Sequence, residues 1–418
     1  MSRRNFLKIA GASSIGVLLA SPKLEVLADK PKDLPSGLTL NKKLGMRIFG
    51  GGDGGEVGIP YPPAGLPETE KSTRSWFKLE TKLKPPESIR SAICWSKSLN
   101  GFLLHGGWVY DTSHNETWLF KGNEWTQIEE GSTPSLHGHK ISETPLGVVM
   151  YGGSFKEGEI YKESNQFYLF NQKKNVWENL TVKWEDSLRP PPALNGSGMV
   201  YNPKTRSVWI IGGGYSNDIG KFMPSDGITE LFLPGAWDSE NWYLKQTGNL
   251  NWANFYISLF EPLAYCIPND PATYLYGGQG PDGLGNVLPS TISFKISKSI
   301  TGLQIESSSL PGIDYGGTLR GGYDPLRKEL LLHSGEPHDF WSSPYRETLA
   351  IGEDNIWYQV KSSPNPPVCN MPAVAVDTAG KMIRFGGAHY DGQNRPVYLN
   401  ETWMLLPSAK IYLPELDL

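Results

Sequence analysis

The sequence predicts an all-β protein built from a repeated unit of about 56 residues. Six runs of apolar residues end in a glycine pair or its near-equivalent, at intervals of 46 to 65 residues. A period of this size indicates a repeat architecture. The chain also contains 14 Trp and 19 Tyr among its 418 residues, which suits a β core better than a helical one. The six runs are residues 102–107, 148–153, 208–213, 274–278, 330–335 and 382–387.

Each repeat contains four segments with the length and turn spacing of antiparallel strands. In the first repeat these segments are 88–96, 101–107, 116–120 and 124–128, and the second of them is apolar on both faces and so predicted to be buried. The glycine pair is expected where a Cβ would clash with a neighbouring backbone. The third segment recurs at 165–170, 228–233, 291–296, 347–351 and 401–405, and the fourth recurs around Trp177, Trp242 and Trp357.

This combination resembles the kelch motif, in which Gly-Gly is followed by Glu/Asp-Thr-Trp and then by a second Trp. The resemblance covers about residues 76–406. It implies a β-propeller, with four-stranded blades around a central channel, and it implies that the tryptophans fill the wedges between blades. The fifth repeat departs from the motif with Ser334-Gly335, and the sixth has no Trp-bearing fourth strand behind Trp403.

The strand missing from the sixth repeat is predicted at the other end of the chain, in residues 75–79 (Ser-Trp-Phe-Lys-Leu). We therefore expect a kelch-type propeller of six four-stranded blades over residues 75–418. Its N-terminal strand would complete the last blade and close the ring, which removes free sheet edges. A seventh blade is the alternative, formed by residues 46–52 and closed by 411–416. With six blades, residues 29–74 form a Gly/Pro-rich extension.

The N-terminus predicts export. Residues 3–8 (Arg-Arg-Asn-Phe-Leu-Lys) resemble a twin-arginine signal, which is an address read by a receptor. The apolar stretch 9–20 is too short to span a bilayer as a stable helix. Residues 26–28 (Val-Leu-Ala) suit cleavage after Ala28, so residues 1–28 are interpreted as a signal peptide. The mature protein would be folded before export from a bacterial cytoplasm and would be periplasmic or secreted. An ordinary secretory signal or an uncleaved anchor remains the alternative.

The composition argues against two classes of binding partner and against a cysteine-based metal site. The net charge is −4 at pH 7, and basic clusters are missing from the sequence, which argues against nucleic acid and anionic membranes. Beyond the signal, no apolar stretch is long enough for a membrane span. Cys94, Cys266 and Cys369 are widely spaced, which fits neither a disulfide framework nor a zinc site. They are expected to be buried free thiols.

Candidate site residues lie where the first strands enter the channel, on the same face as the long loops that follow the second strands. Long loops on a rigid scaffold often carry function. Arg90 and Arg320 could clamp a carboxylate, and Glu261 could act as a general acid or base. The alternative is that these residues only tie the strands together by hydrogen bonds. The other polar residues at these positions are His137, His139, Asn195 and Asn370.

The long loops also carry aromatic side chains and histidines. His338 and His389 each have an aspartate within two residues and could bind a metal if the loops converge, although no tight ligand spacing is present. His105 and His333 lie in apolar runs and are expected to be core residues. Six aromatic rings could stack on sugars or peptide side chains, or could simply pack on the rim. They are Trp108, Tyr110, Tyr215, Trp341, Tyr345 and Tyr390.

Three functions remain open. A binding module for a glycan, a cell-envelope fragment or a protein explains most of the sequence without chemistry. The second function is a metal-free carbohydrate enzyme that resembles the periplasmic sialic acid epimerases (mutarotases), which are kelch propellers; the two arginines and Glu261 would suit a carboxylated sugar. The third is a copper oxidase that resembles galactose oxidase, also a kelch propeller, whose chemistry needs two His, two Tyr and a Cys cross-linked to a Tyr. Cys94 and Cys266 occupy nearly equivalent positions, but a matching Tyr and His set is not found. The residues thus leave the cofactor unknown and favour a carbohydrate or protein ligand.

Overall fold

A computed structural model describes residues 74–407 except for 186–190, 217–221, 236–240, 253–254, 257–258, 282–286, 290–291, 301, 310–319, 335–347, 353–356, 361, 363, 392 and 394. The regular secondary structure of the described residues consists of β-strands. The signal, residues 29–73 of the predicted extension and the two segments considered for a seventh blade lie outside the described residues, whereas Arg74 already belongs to the first described strand.

The described strands form six four-stranded antiparallel sheets, which are the blades of a propeller, as predicted. In the first five blades the strands run outward from the channel in chain order. Blade 1 contains Ala92–Ser96, Gly101–Val109, Thr112–Lys121 and Glu124–Glu130. Blade 2 contains Lys140–Thr144, Gly147–Tyr151, Phe167–Asn171 and Val176–Asn179. Blade 3 contains Gly198–Asn202, Ser207–Ile211, Gly227–Phe232 and Trp242–Asn249, with Val182–Trp184 added in parallel at its outer edge.

The remaining blades follow the same plan. Blade 4 contains Leu263–Cys266, Thr273–Tyr276, Ile292–Ser299 and Gly302–Ser309. Blade 5 contains Arg320–Asp324, Glu329–His333, Thr348–Gly352 and Trp357–Gln359. Blade 6 contains Ala373–Val376, Met382–Phe385, Thr402–Pro407 and, outermost, Arg74–Leu79.

Short two-stranded hairpins lie on the face of the propeller that carries the long loops. They are Ser154–Glu157 with Ile160–Glu163, Gly214–Ser216 with Phe222–Pro224, Asn251–Trp252 with Phe255–Tyr256, Gln279–Pro281 with Val287–Pro289, and Ala388–Tyr390 with Pro396–Tyr398.

The N-terminal strand closes the ring, which confirms the prediction. Arg74–Leu79 pairs antiparallel with Thr402–Pro407, and Trp76 lies opposite Leu405. The first strand of each described blade contacts the first strands of both neighbouring blades, including those of blades 1 and 6. The six described blades therefore already form a closed circle, held by strands from both ends of the described chain.

Tryptophans fill the wedges between blades, as the resemblance implied. In three described wedges, the indole Nε1 of a fourth-strand Trp donates a hydrogen bond to a threonine on the third strand of the preceding blade. Because each indole is buried and its N–H is satisfied, the wedge gains apolar contact without an unpaired donor. The pairs are Trp125 with Thr402 (2.8 Å), Trp177 with Thr117 (2.9 Å) and Trp76 with Thr348 (3.0 Å).

The glycine pairs allow close approach between blades. Gly152 has a φ of +74°, and a Cβ there would lie 2.3 Å from the carbonyl oxygen of Leu194 in the next blade. Gly212 has the same relation to Leu259, again at 2.3 Å. The steric reason predicted for the repeated glycines is thus confirmed.

Candidate functional site

The first strands enclose a central cavity of about 400 Å³. At its long-loop end, neighbouring blades are joined by main-chain hydrogen bonds: the amide of Gly138 donates to the carbonyl of Arg90 (2.9 Å), and the amide of Glu261 donates to that of Gly196 (2.6 Å). These residues all have positive φ, as does Met371 in blade 6. A left-handed backbone costs a non-glycine residue about 1 kcal/mol or more. Arg90 and Glu261 therefore occupy strained backbone positions that would suit glycine. This strain indicates that their side chains have a specific role at these positions.

Glu261 is the centre of an ion cluster. Its carboxylate is completely buried, and it accepts hydrogen bonds from Arg90 (Nε to Oε1, 2.9 Å) and from Arg320 (Nη2 to Oε2, 2.5 Å). Burial would raise the pKa of Glu261, but the charges of Arg320 and Arg90 outweigh it and hold this pKa well below its usual range. The carboxylate thus stays ionised at neutral pH and anchors the two guanidinium groups.

Asn195 and Gly138 fix the position of Arg90. The Oδ1 atom of Asn195 accepts from Arg90 Nη2 (2.7 Å), and its amide donates to Ser154 Oγ. A Cβ on Gly138 would lie 2.1 Å from Asn195 Oδ1 and 2.8 Å from Arg90 Nη2. The ring of Phe260 lies 5.4 Å from the guanidinium carbon, a cation–π distance. The structure therefore brings together four predicted residues, namely Arg90, Asn195, Glu261 and Arg320.

Lys140 belongs to the same site, although it was not among the site residues predicted from the sequence. It lines the cavity beside Arg90, Glu261 and Arg320, and its ammonium has no hydrogen-bond or ion-pair partner among the described residues. Burial, together with the charges of Arg320 and Arg90, lowers its pKa to about 7, and the charge of Glu261 opposes this lowering. The described cluster therefore holds three cationic side chains against one carboxylate, which is already engaged.

Lys140 can be identified from the register between the first and second strands, which is the same in every blade. In each blade, one residue of the first strand pairs with the residue just before the glycine pair or its equivalent. Lys140 pairs with Tyr151 in this way, and Arg320 pairs with His333. Arg320 thus lies at the register position of Lys140, two residues further along the strand than the position shared by Arg90 and Glu261.

The side chains of the two histidines of blade 2 lie in different environments. His137 Nδ1 bonds to Ser113 Oγ (2.8 Å), and burial together with Arg90 lowers its pKa to about 3. His139 is buried between blades, and its Nε2 bonds to Nδ1 of His105 (2.9 Å). Burial also holds the pKa of His139 well below its usual range. Both rings are therefore neutral near pH 7. His105 and His333 are buried and hydrogen-bonded, as predicted for core histidines.

The other described candidates lie in blade 6, on the hairpins of blades 3 and 6, and on the rim beside the ion cluster. Asn370 is buried in blade 6 at the position that corresponds to His137 in blade 2 and Asn195 in blade 3, and its main chain pairs with that of Ala388. Tyr215 is exposed on the hairpin of blade 3, and His389 and Tyr390 are partly buried on the hairpin of blade 6. Trp108 and Tyr110 lie on the rim near blades 1 and 6. The other predicted site residues, Trp341, Tyr345 and His338, lie outside the described residues.

Neither the cysteines nor the histidines of the described chain form a metal centre. The described residues hold no group of three or more His, Cys, Asp and Glu side chains that could bind an ion. The three cysteines are free thiols, and Cys369 is fully buried. Burial raises the pKa of Cys94 and Cys266, which keeps both protonated near pH 7. Among the described residues, no helix has the length and apolar character needed to cross a membrane.

Comparison with known proteins supports the fold. No protein-family model matches the chain, and no curated protein matches it either. Among solved structures, the chain is similar to the one described as "Structure of YjhT", with a TM-score of 0.53 and 11% sequence identity. The match covers 77% of this chain and 95% of that one.

Proposed function

We propose that this protein is an exported binding module that binds a carboxylated sugar at the long-loop end of its channel. The observation that carries the proposal is the uncompensated positive charge of the ion cluster. Glu261 is already engaged by two arginines, whereas Lys140 has no partner among the described residues. An incoming carboxylate would supply the missing negative charge and accept from Lys140 and Arg320, and such charge-assisted bonds are strong in a partly desolvated site.

A matched ligand pair tests this proposal. We would titrate the protein calorimetrically with N-acetylneuraminate and galacturonate, and with the methyl ester of each. The esters keep the sugar ring but lose the charge, so we expect them to bind at least about tenfold more weakly, the equivalent of about 1.4 kcal/mol. Lys140→Met should weaken the acids toward the level of the esters. Equal binding of acid and ester, or no binding of either acid, would contradict the proposal.

The pKa of Lys140 predicts a pH dependence. The lysine is charged below about pH 7 and progressively neutral above it, whereas a sugar carboxylate and Glu261 are ionised throughout this range. Affinity for the acid sugar should therefore fall by up to about tenfold between pH 6 and pH 8. In Lys140→Arg the charge persists at both pH values, so the fall should disappear. An equal fall in wild type and Lys140→Arg, measured by calorimetry, would assign the effect to another group.

A metal-free carbohydrate enzyme is the second candidate, and the same lysine supports it. A cavity amine with a pKa near 7 can accept and return a proton at physiological pH, and it stands next to two guanidinium groups that could orient a carboxylated substrate. The test is the rate of anomer interconversion of N-acetylneuraminate, followed by NMR with catalytic amounts of protein. Acceleration by wild type that is lost in Lys140→Met would favour the enzyme. Binding without acceleration would leave the binding module.

A further inference from the structure

Four aromatic side chains form a cluster on the rim beside the ion cluster. This rim cluster consists of Trp108, Tyr110, Tyr161 and Tyr398, contributed by blades 1, 2 and 6. The rings of Tyr110 and Tyr398 are edge-to-face with centroids 4.7 Å apart, and Trp108 lies 6.1 Å from Tyr398. Tyr398 is buried, whereas Tyr110 is 65% exposed. The ring of Tyr110 is therefore exposed to solvent and packs on one side against the buried ring of Tyr398.

Tyr110 occupies a backbone position that disfavours tyrosine. It forms a two-residue turn with Asp111 between Val109 and Thr112, which pair with each other. Both turn residues have positive φ, 42° and 63°. Such turns normally use Asn-Gly or Gly-Gly, because a bulky residue is strained there. The exposed ring gives little burial in return, so folding alone does not explain why tyrosine stands at this position.

A polar network fixes the rim cluster. The indole of Trp108 donates to the hydroxyl of Tyr161 (3.0 Å), which donates in turn to Asp111 Oδ1 (2.9 Å). Lys156 holds the other oxygen of Asp111 at 2.6 Å. The turn and the rings are thereby held in place before any ligand arrives, which lowers the entropic cost of binding.

The rim cluster is continuous with the ion cluster. The main chain of Trp108 pairs with that of Ile89, and Arg90 follows directly. The ring of His137 lies 6.2 Å from that of Trp108 and 5.4 Å from that of Tyr161. The residue after His137 is Gly138, which packs against the Arg90 guanidinium. A ligand that reaches from the channel mouth toward blades 1 and 6 would therefore pass directly onto the aromatic rings.

We propose that the rim cluster is a second subsite, which stacks a neutral pyranose linked to the carboxylated sugar, with Tyr110 as the main contact. The apolar face of a pyranose packs on an aromatic ring, and preorganised rings are effective platforms for such contacts. The ligand would thus be an acidic oligosaccharide and not a lone acid sugar. This inference rests on the proposed function of the ion cluster.

The test compares N-acetylneuraminate with sialyllactose, in which the same acid is linked to two neutral sugars. Wild type should bind sialyllactose about tenfold more tightly. Tyr110→Asn should remove this gain, leave the affinity for N-acetylneuraminate unchanged and keep or raise the melting temperature, since asparagine suits the turn. Tyr110→Phe should keep the gain. Leu146→Asn, which changes an exposed residue in the turn between the first two strands of blade 2, serves as the control.

The possible outcomes separate the two proposals. If wild type binds both ligands equally, or if Tyr110→Asn weakens both to the same extent, the second subsite is wrong while the ion cluster stands. A lower melting temperature of Tyr110→Asn would show that the ring has a structural role and would also overturn the inference. If neither ligand binds to wild type, the proposed function fails, and the second subsite fails with it.

Discussion

A chain that begins at Thr81 is expected to lose cooperative folding. The truncation removes the outer strand of blade 6, so Thr402–Pro407 would become an unpaired edge. It also removes Trp76, which is fully buried between blades 5 and 6. Burial of one large aromatic side chain is worth about 3 kcal/mol or more, and the lost strand pairing adds to this. Circular dichroism and urea denaturation of the truncated chain would measure the effect. A soluble truncation with a cooperative transition like that of the full chain would contradict ring closure by this strand.

Arg74 allows the same closure to be tested with a point substitution. Its guanidinium is buried and pairs with the buried carboxylates of Asp324 (2.7 Å) and Glu329 in blade 5. Arg74→Met would leave both carboxylates without this partner, so the free energy of unfolding should fall by about 3–5 kcal/mol. Lys78→Met on the same strand breaks pairs with Glu401 and Glu80, both accessible to solvent, and should cost at most about 1 kcal/mol. Equal effects of the two substitutions would show that Arg74 does not join the blades as described.

Glu261→Gln is expected to destabilise the protein by about 3 kcal/mol at pH 6. The substitution removes the carboxylate of the ion cluster, so Arg90 and Arg320 lose their shared ion-pair partner and the charge of Lys140 is no longer offset by Glu261. The deficit should shrink as the pH rises toward 7, because without Glu261, whose charge raises the pKa of Lys140, the lysine of the variant loses its proton at a lower pH than that of wild type and part of the repulsion disappears. Urea denaturation of both proteins at pH 6 and pH 8.5 measures the difference.

The control for this prediction is Glu178→Gln, which breaks a surface pair with Lys174 and should leave stability nearly unchanged at either pH. A carboxylated sugar should partly restore the stability of Glu261→Gln, since it can replace the lost negative charge. If Glu261→Gln is as stable as wild type, the ion cluster is not a coupled unit.

The sequence predicted the propeller because the repeat is encoded locally. In the first three repeats, the second strand, its glycine pair and the tryptophan of the fourth strand are separated by short distances in the chain. Trp76 carried enough of the motif to place the closing strand, even though its partner Thr348 lies in another blade. Blade number followed from the same pattern.

The site was only partly predictable, because its contacts join residues from different blades. Arg90, Glu261 and Arg320 stood out as charges at the start of first strands, and the structure joins them. Lys140 was overlooked because it follows two histidines and its importance depends on register. Tyr161 and Tyr398 become part of the rim cluster only when blades 1, 2 and 6 meet, and contacts of this kind leave no local pattern in a sequence.

The most direct measurement is the acetylation rate of Lys140 in the folded protein, quantified by peptide mass spectrometry with and without ligand. An unpartnered amine with a pKa of about 7 should react faster as the pH rises through 7. N-acetylneuraminate should slow this reaction, its methyl ester should not, and exposed Lys174 should be unaffected by either. An acetylation rate of Lys140 that is the same with and without the acid sugar would contradict carboxylate binding at the ion cluster.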